Sequence, residues 1–213
     1  MGMPKKDSVL GDYYYRAARR EGYRSRSALK LKEIAQKYHI LRRGSSVADL
    51  GAAPGGWLQV EREFVGSEGL VIGIDISPIR PLPFENVKLI QGDIASPETR
   101  EKIYSIAGRK LDVIVSDLAP KFTGVHDVDH SRQIGLALMA LESAKMMLKR
   151  NGSMIIKVLM GSEFKSFQNE TMRLFRNVRI CKPAASRDTS SEVYLVCTGF
   201  KGESTPPSPS EAA

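Results

Sequence analysis

The fold class predicted by this 213-residue sequence is a doubly wound, Rossmann-like α/β sheet, and three observations carry the prediction. The first is Val47-Ala-Asp-Leu-Gly-Ala-Ala-Pro-Gly-Gly-Trp57, a short apolar run followed by a glycine-rich turn and a helix start. A strand, a tight turn and a helix N-terminus in that order form the ligand cradle of open α/β sheets. The second is a series of β-branched runs that end in acids, Val71–Asp75, Val87–Asp93 and Leu111–Asp117, at α/β spacing. The third lies near the C-terminus, where Val178–Cys181 and Ser191–Gly199 are joined by too few residues for a parallel crossover. The expected sheet is therefore seven-stranded and mixed, with an antiparallel last strand and helices on both faces.

Taken in order, residues 1–12 read as a mobile N-terminus. Arg24–Tyr38 reads as a helix because Ala28, Leu29, Leu31, Ile34 and Ala35 form an apolar stripe, with Lys30 beside it. Val47–Leu50 is the first strand, and Pro54 is placed where a helix tolerates proline in its first turn. Trp57–Phe64 continues as the first crossover helix. Ser96 is a natural N-cap for a helix over Pro97–Ala107. After the strand Leu111–Asp117, a loop from Lys121 to Asp129 leads to a long helix from about His130 to Lys149, with Asn151-Gly152 as its stop. Ser153–Met160 is the fifth strand and Glu163–Phe175 the next helix. The chain reads as one α/β domain over residues 13–201, with a disordered Pro/Ser/Glu-rich tail over 202–213.

The glycine-rich turn narrows the ligand. A dinucleotide fingerprint requires G-x-G-x-x-G, whereas Gly51-Ala-Ala-Pro-Gly-Gly carries alanine at the middle glycine. Gly51, Pro54, Gly55, Gly56 and Trp57 are the candidate cradle. Asp75 suits the two hydroxyls of a ribose, and Asp93 suits an exocyclic amine. Ribose and adenine are thus provided for without a phosphate site. That combination resembles the class I S-adenosylmethionine-dependent methyltransferases more than the nicotinamide dehydrogenases.

Charge points to the partner. Residues 1–43 hold twelve Lys and Arg against four acids, and the rest of the chain is neutral, so the whole excess of +8 lies in the N-terminal block. Tyr13, Tyr14, Tyr15 and Tyr23 are interleaved with it, and bases among aromatics suit phosphates and stacked nucleobases. Arg16, Arg19, Arg20, Arg24 and Arg26, within a basic part spanning 13–43, are the candidate RNA contacts. The plainer reading is a solvated helix face. Cys181 and Cys197 read as small core residues of a cytoplasmic protein, without zinc or disulfide. No apolar run is long enough to span a membrane. His126-Asp-Val-Asp-His130 has metal-ligand residue types, yet reads as a loop entering a helix, so no metal is expected.

Lys157 interrupts Met154-Ile-Ile-Lys-Val-Leu159, a run that otherwise looks buried on both faces. A lysine there must find a carboxylate, reach solvent or lose its proton. Asp117, at a strand end, and Glu192, at the start of the last strand, are the candidate partners. A purely structural buried pair is the alternative.

The segments Arg24–Leu31, Asp49–Trp57, Ser116–Pro120, Ile156–Val158, Ser186-Arg187 and Ser191–Tyr194 together resemble the RrmJ/FtsJ family of RNA ribose 2′-O-methyltransferases. The resemblance covers about Tyr23 to Gly199. It implies a Lys-Asp-Lys-Glu catalytic tetrad on Lys30, Asp117, Lys157 and Glu192, and cofactor contacts on Gly55, Trp57, Asp75, Asp93 and Asp117. Lys121 departs from the small polar residue expected after Ala-Pro. The implied activity is methyl transfer from S-adenosylmethionine to a ribose 2′-hydroxyl, at a uridine of 23S-type ribosomal RNA. Free RNA or the assembled large ribosomal subunit would be the partner of a monomeric enzyme. The alternatives are a tRNA or cap-ribose methyltransferase, and a non-catalytic RNA-binding protein of the same fold.

Overall fold

The computed structural model describes residues 6–202 apart from Asp188. Its elements run α1 (Lys6–Arg20), α2 (Ala28–Tyr38), β1 (Ser46–Leu50), α3 (Gly56–Val65), β2 (Leu70–Asp75), β3 (Val87–Gln91), α4 (Pro97–Ala107), β4 (Leu111–Ser116), α5 (His126–Met147), β5 (Leu148–Leu159), α6 (Phe164–Leu174), β6 (Phe175–Cys181) and β7 (Glu192–Phe200). The strands form one sheet in the order β3-β2-β1-β4-β5-β7-β6. β7 is antiparallel to both its neighbours and all other pairs are parallel. The seven strands, the mixed sheet and the antiparallel last strand are as the sequence predicts.

Both faces of the sheet are covered, which is why β1 is buried at all five positions. Leu50, Ile72, Ile114 and Ile156 point to the side covered by α4, α5 and α6. Val47, Val71, Val115 and Ile155 point to the side where α2 and α3 place Leu31, Ile34, Leu58 and Val60. Both cysteines are buried and unpaired, and no helix among the described residues is long and apolar enough to cross a membrane.

Several boundaries differ from the sequence reading. Residues 1–5 and 203–213 lie outside the described residues, so the expected mobile start and disordered tail bear on them alone, whereas the backbone is helical from Lys6. α2 begins at Ala28, because Arg24–Ser27 form a turn against the loop after β1. α5 begins at His126, four residues early, with Asp127 and Asp129 in its first turn where carboxylates are favoured by the helix dipole. Asn151-Gly152 is no helix stop. α5 ends at Met147 and passes directly into β5, where Asn151 takes a positive φ of 64° inside an irregular stretch of pairing with β4. α6 stops at Leu174 and β6 starts at Phe175, whose ring packs on Phe200 at 5.3 Å and so pulls the strand upstream. Pro54 precedes α3 and its N-cap Gly55 instead of entering the first turn. Ser96 caps α4 as expected, accepting from the Thr99 amide, an interaction worth about 1 kcal/mol.

Candidate functional site

Strand order reverses between β1 and β4, and ligands of open α/β sheets collect beside that point at the carboxyl ends of the strands. Two cavities open there. The first, about 210 Å3, is lined by Gly51, Asp75, Asp93, Ile94, Leu118 and Met139 among others. Gly51 holds φ +86°, and a Cβ there would meet Leu118 at 3.0 Å. Asp75 braces the turn, accepting from the Ala53 amide at 2.9 Å with one oxygen and from the Ser77 amide at 2.8 Å with the other. Asp93 accepts from the Ala95 amide at 2.9 Å through Oδ1. Apolar walls with two carboxylates at the strand ends fit a nucleoside: the walls take the base, and each carboxylate keeps lone pairs for hydroxyl or amine donors.

The remaining cradle residues do different work. Gly55 and Gly56 give way to α2's lead-in, since Cβ atoms on them would sit 2.8 Å from the Arg24 guanidinium and 2.2 Å from Ser25 Oγ. Arg24 then donates to the carbonyls of Pro54 (3.1 Å), Arg80 and Pro81 (2.7 Å). Its guanidinium thereby clamps the loops that follow β1 and β2. Burial first, then Arg80, lowers its pKa. Trp57 does not face the cavity. It is 3% exposed, donates its ring N–H to Ser27 O at 2.9 Å and lies 5.8 Å from the Tyr194 ring.

The second cavity, about 460 Å3, is lined by three of the expected tetrad, Lys30, Lys157 and Glu192, and the fourth, Asp117, is bound to Lys157. Lys157, on β5, points to the α2 side of the sheet, where its Nζ donates to Asp117 O at 2.6 Å and pairs with Asp117 Oδ1 at 3.0 Å. Lys30, from α2, pairs with Glu192 Oε1, which also accepts from Ser186 Oγ at 3.2 Å. Between the two pairs stands Tyr194, which the sequence reading gave no role. It is fully buried, its hydroxyl donates to Asp117 Oδ1 at 2.9 Å, and Lys30 Nζ lies 5.9 Å over its ring. Burial, then Asp117 and Glu192, push the phenol's pKa well up, so it remains a donor. Register explains the assembly: Lys157 sits directly opposite Tyr194, and Glu192 lies two residues along on the same face.

Two more supporting residues escaped the sequence reading. Gln133, 1% exposed on α5, donates to the carbonyls of Leu118 and Lys157, both at 3.1 Å, tying the two catalytic strand ends together. Asp129 accepts from the Thr123 amide (2.7 Å), Thr123 Oγ1 (2.8 Å) and the Gly124 amide (3.0 Å). The Thr123 amide leads the causes that lower its pKa. An (i, i+6) contact back to a loop leaves no periodic mark in a sequence. Its neighbours in the His126–His130 segment also serve structure: His130 Nε2 accepts from the Glu163 amide at 3.0 Å.

On the α3 side of β1, Asp49 and Glu61 are fully buried, and their carboxylates have no hydrogen-bond partner among the described residues. Burial raises both pKa values, helped at Asp49 by Asp117 and Asp75 and at Glu61 by Asp49. Of the arginines expected at RNA, Arg26 lines the second cavity, Arg19 lies 5.9 Å over the Tyr15 ring, and Arg16 and Arg20 lie on α1.

Comparison with known proteins places this geometry. The FtsJ-like methyltransferase family model matches residues 23–200. The ribosomal RNA large subunit methyltransferase E of Methanothrix thermoacetophila is 50% identical over 185 residues, covering 87% of this chain and 71% of that protein. The protein of the same name from Methanothermobacter thermautotrophicus is 42% identical over 192 residues, 90% of this chain and 91% of the relative. Among solved structures, one described as a ribosomal RNA methyltransferase from Plasmodium falciparum superposes with TM-score 0.76 at 32% identity, covering 84% of this chain and all of the other. Aeropyrum pernix fibrillarin, with natively bound S-adenosyl-L-methionine, shares the fold at TM-score 0.58 and 16% identity, over 83% of this chain and 75% of its own.

Proposed function

The chain belongs to the FtsJ-like methyltransferase family, and from that premise we propose that it methylates a ribose 2′-hydroxyl of large-subunit ribosomal RNA, at a uridine. The observation that carries the reading is the convergence of Lys30, Lys157 and Glu192 on one cavity, with Asp117 paired to Lys157, beside a nucleoside-sized pocket at the sheet's reversal point. S-adenosylmethionine, when bound, supplies an electrophilic methyl group. Gly51, Asp75, Asp93 and the Leu118 wall are the residues to hold its nucleoside, with Gly55, Gly56 and Pro54 shaping the turn.

The protein's own part is alignment. An ammonium has three N–H donors. Two of those at Lys157 are directed at Asp117 O and Oδ1, which leaves the third for the cavity. That donor fixes the acceptor oxygen and so its attacking lone pair, and positioning of this kind supplies much of the rate of a displacement. Lys30 and Glu192 form the opposite wall and hold the ribose. The relatives named for large-subunit ribosomal RNA methylation support that substrate over tRNA or cap RNA. RNA is received by the basic part 13–43, with Arg16, Arg19, Arg20 and Arg26 as its contacts and the whole of residues 13–201 as the working unit. We place the enzyme in the cytoplasm as a monomer, acting on free RNA or the assembled subunit.

The test is to incubate the protein with tritiated S-adenosylmethionine and large-subunit RNA or subunits lacking the modification, then map the label. The expected product is one nucleotide whose 3′ phosphodiester resists alkali, because its 2′-oxygen is blocked. Label on a base instead overturns the reading.

A further inference from the structure

Phe122 is the most conspicuous apolar side chain beside the second cavity. Its side chain lines that cavity with Lys30, Lys157 and Glu192, yet the residue is 62% exposed. An aromatic ring left in water next to a reacting centre forgoes the burial that usually justifies its presence. The loop that carries it is held in place. Asp129 accepts from the next two residues, Thr123 and Gly124, at 2.7 to 3.0 Å, and Asp129 itself is buried. Arg26 and Arg187 line the same cavity and offer positive charge to phosphates. An aromatic face on an anchored loop, two cations and a paired lysine around one cavity match the three parts of one nucleotide: base, phosphates and ribose.

We propose that Phe122 is the stacking platform for the base of the nucleotide whose ribose is methylated, and so a specificity-determining residue of the enzyme. The inference rests on the 2′-O-methylation reading above. Stacking accepts any base face, so Phe122 selects for an unpaired, extruded nucleotide and not for base identity. A ribose within a duplex, its base stacked on its neighbours, would be rejected.

The experiment is a double-perturbation cycle with the full-length protein. The mapped RNA is prepared with its target base intact or replaced by a stable abasic ribose, and kcat/KM is measured for wild type and Phe122→Ala. One stacked base is worth about 5- to 150-fold. Phe122→Ala on intact RNA, and wild type on abasic RNA, should each lose a factor in that range, while combining them should cost little more than either alone. Phe122→Trp should retain activity, and S-adenosylmethionine affinity should be the same in every variant. If the two losses multiply, or if Phe122→Ala has wild-type kcat/KM, the inference falls while the methyltransferase reading stands. If wild-type protein methylates no ribose at all, both fall.

Discussion

Replacing Lys157 by methionine separates a catalytic lysine from a merely structural buried pair. Lys157 is 6% exposed and bound twice to Asp117. Removing one partner of a buried ion pair costs about 3–5 kcal/mol, because the other charge is left uncompensated. Asp117 would keep the Tyr194 hydroxyl at 2.9 Å, and its side chain is 20% exposed. The cost should therefore fall at the lower end, about 3 kcal/mol, reduced further by the apolar contacts of methionine. Against a typical stability of about 5–15 kcal/mol the variant folds. Turnover should fall by at least ~10²-fold, the order of cost for losing alignment at the reacting centre. Adding Asp117→Asn removes the stranded charge, and urea denaturation should show stability recovering while single-turnover methylation does not. Lys157→Arg retains a donor that never titrates near neutrality, and partial activity is expected if alignment is its task. A Lys157→Met enzyme within tenfold of wild-type turnover would refute the whole assignment and leave the lysine structural.

Three further outcomes follow from the same geometry. Asp93→Ala should weaken S-adenosylmethionine binding about 10- to 100-fold by calorimetry, the value of one hydrogen bond to a charged group; unchanged affinity would move the nucleoside elsewhere. Neutralising Arg16, Arg19 and Arg20 should lower the slope of log RNA affinity against log salt by roughly 0.9 for each phosphate no longer neutralised, and an unaltered slope would leave that face as solvated surface. Glu61 has its folded-state pKa raised above the unfolded value, by burial first and then by Asp49. The native state thus binds more protons than the unfolded one between those values, so the stability Glu61 allows is full at low pH and is lost as pH rises through that window. Glu61→Gln should match wild type near pH 4 and exceed it increasingly toward pH 8, gaining on it by at most about 1.4 kcal/mol for each pH unit climbed within the window; denaturation curves showing wild type gaining on the variant with pH would contradict this.

What was legible in the sequence was local or alternating. Acids at strand ends, the glycine turn and the lone lysine in a two-faced apolar strand each announce themselves within ten residues. Ser96 does too, since capping involves only three positions. What escaped depends on contacts between distant segments. Arg24 looked like one more cation in a basic block, because the carbonyls it binds lie about thirty and fifty-six residues away. The ring of Trp57 is held inward by Ser27 and Tyr194, neither of which its own motif contains. Asn151-Gly152 misled for another reason: the same dipeptide serves a helix end and an irregular strand, and only the pairing of β4 with β5 decides between them.

The charges at the site separate binding from chemistry. Each of the two lysines proposed for catalysis has its own carboxylate, Lys157 with Asp117 and Lys30 with Glu192, so the centre is electrically balanced. The excess positive charge lies in the basic N-terminal block, from which Arg26 reaches the cavity wall, where Arg187 adds another cation. A polyanion is therefore drawn to the rim, where attraction is long-ranged and weakened by salt. A hydroxyl reaching the centre meets fixed short hydrogen bonds in a largely buried setting, which salt screens far less. Had the centre carried unpaired lysines, a phosphate would compete with the ribose for the reacting position. Pairing each lysine with a carboxylate excludes that competitor and leaves the neutral 2′-hydroxyl as the group that fits.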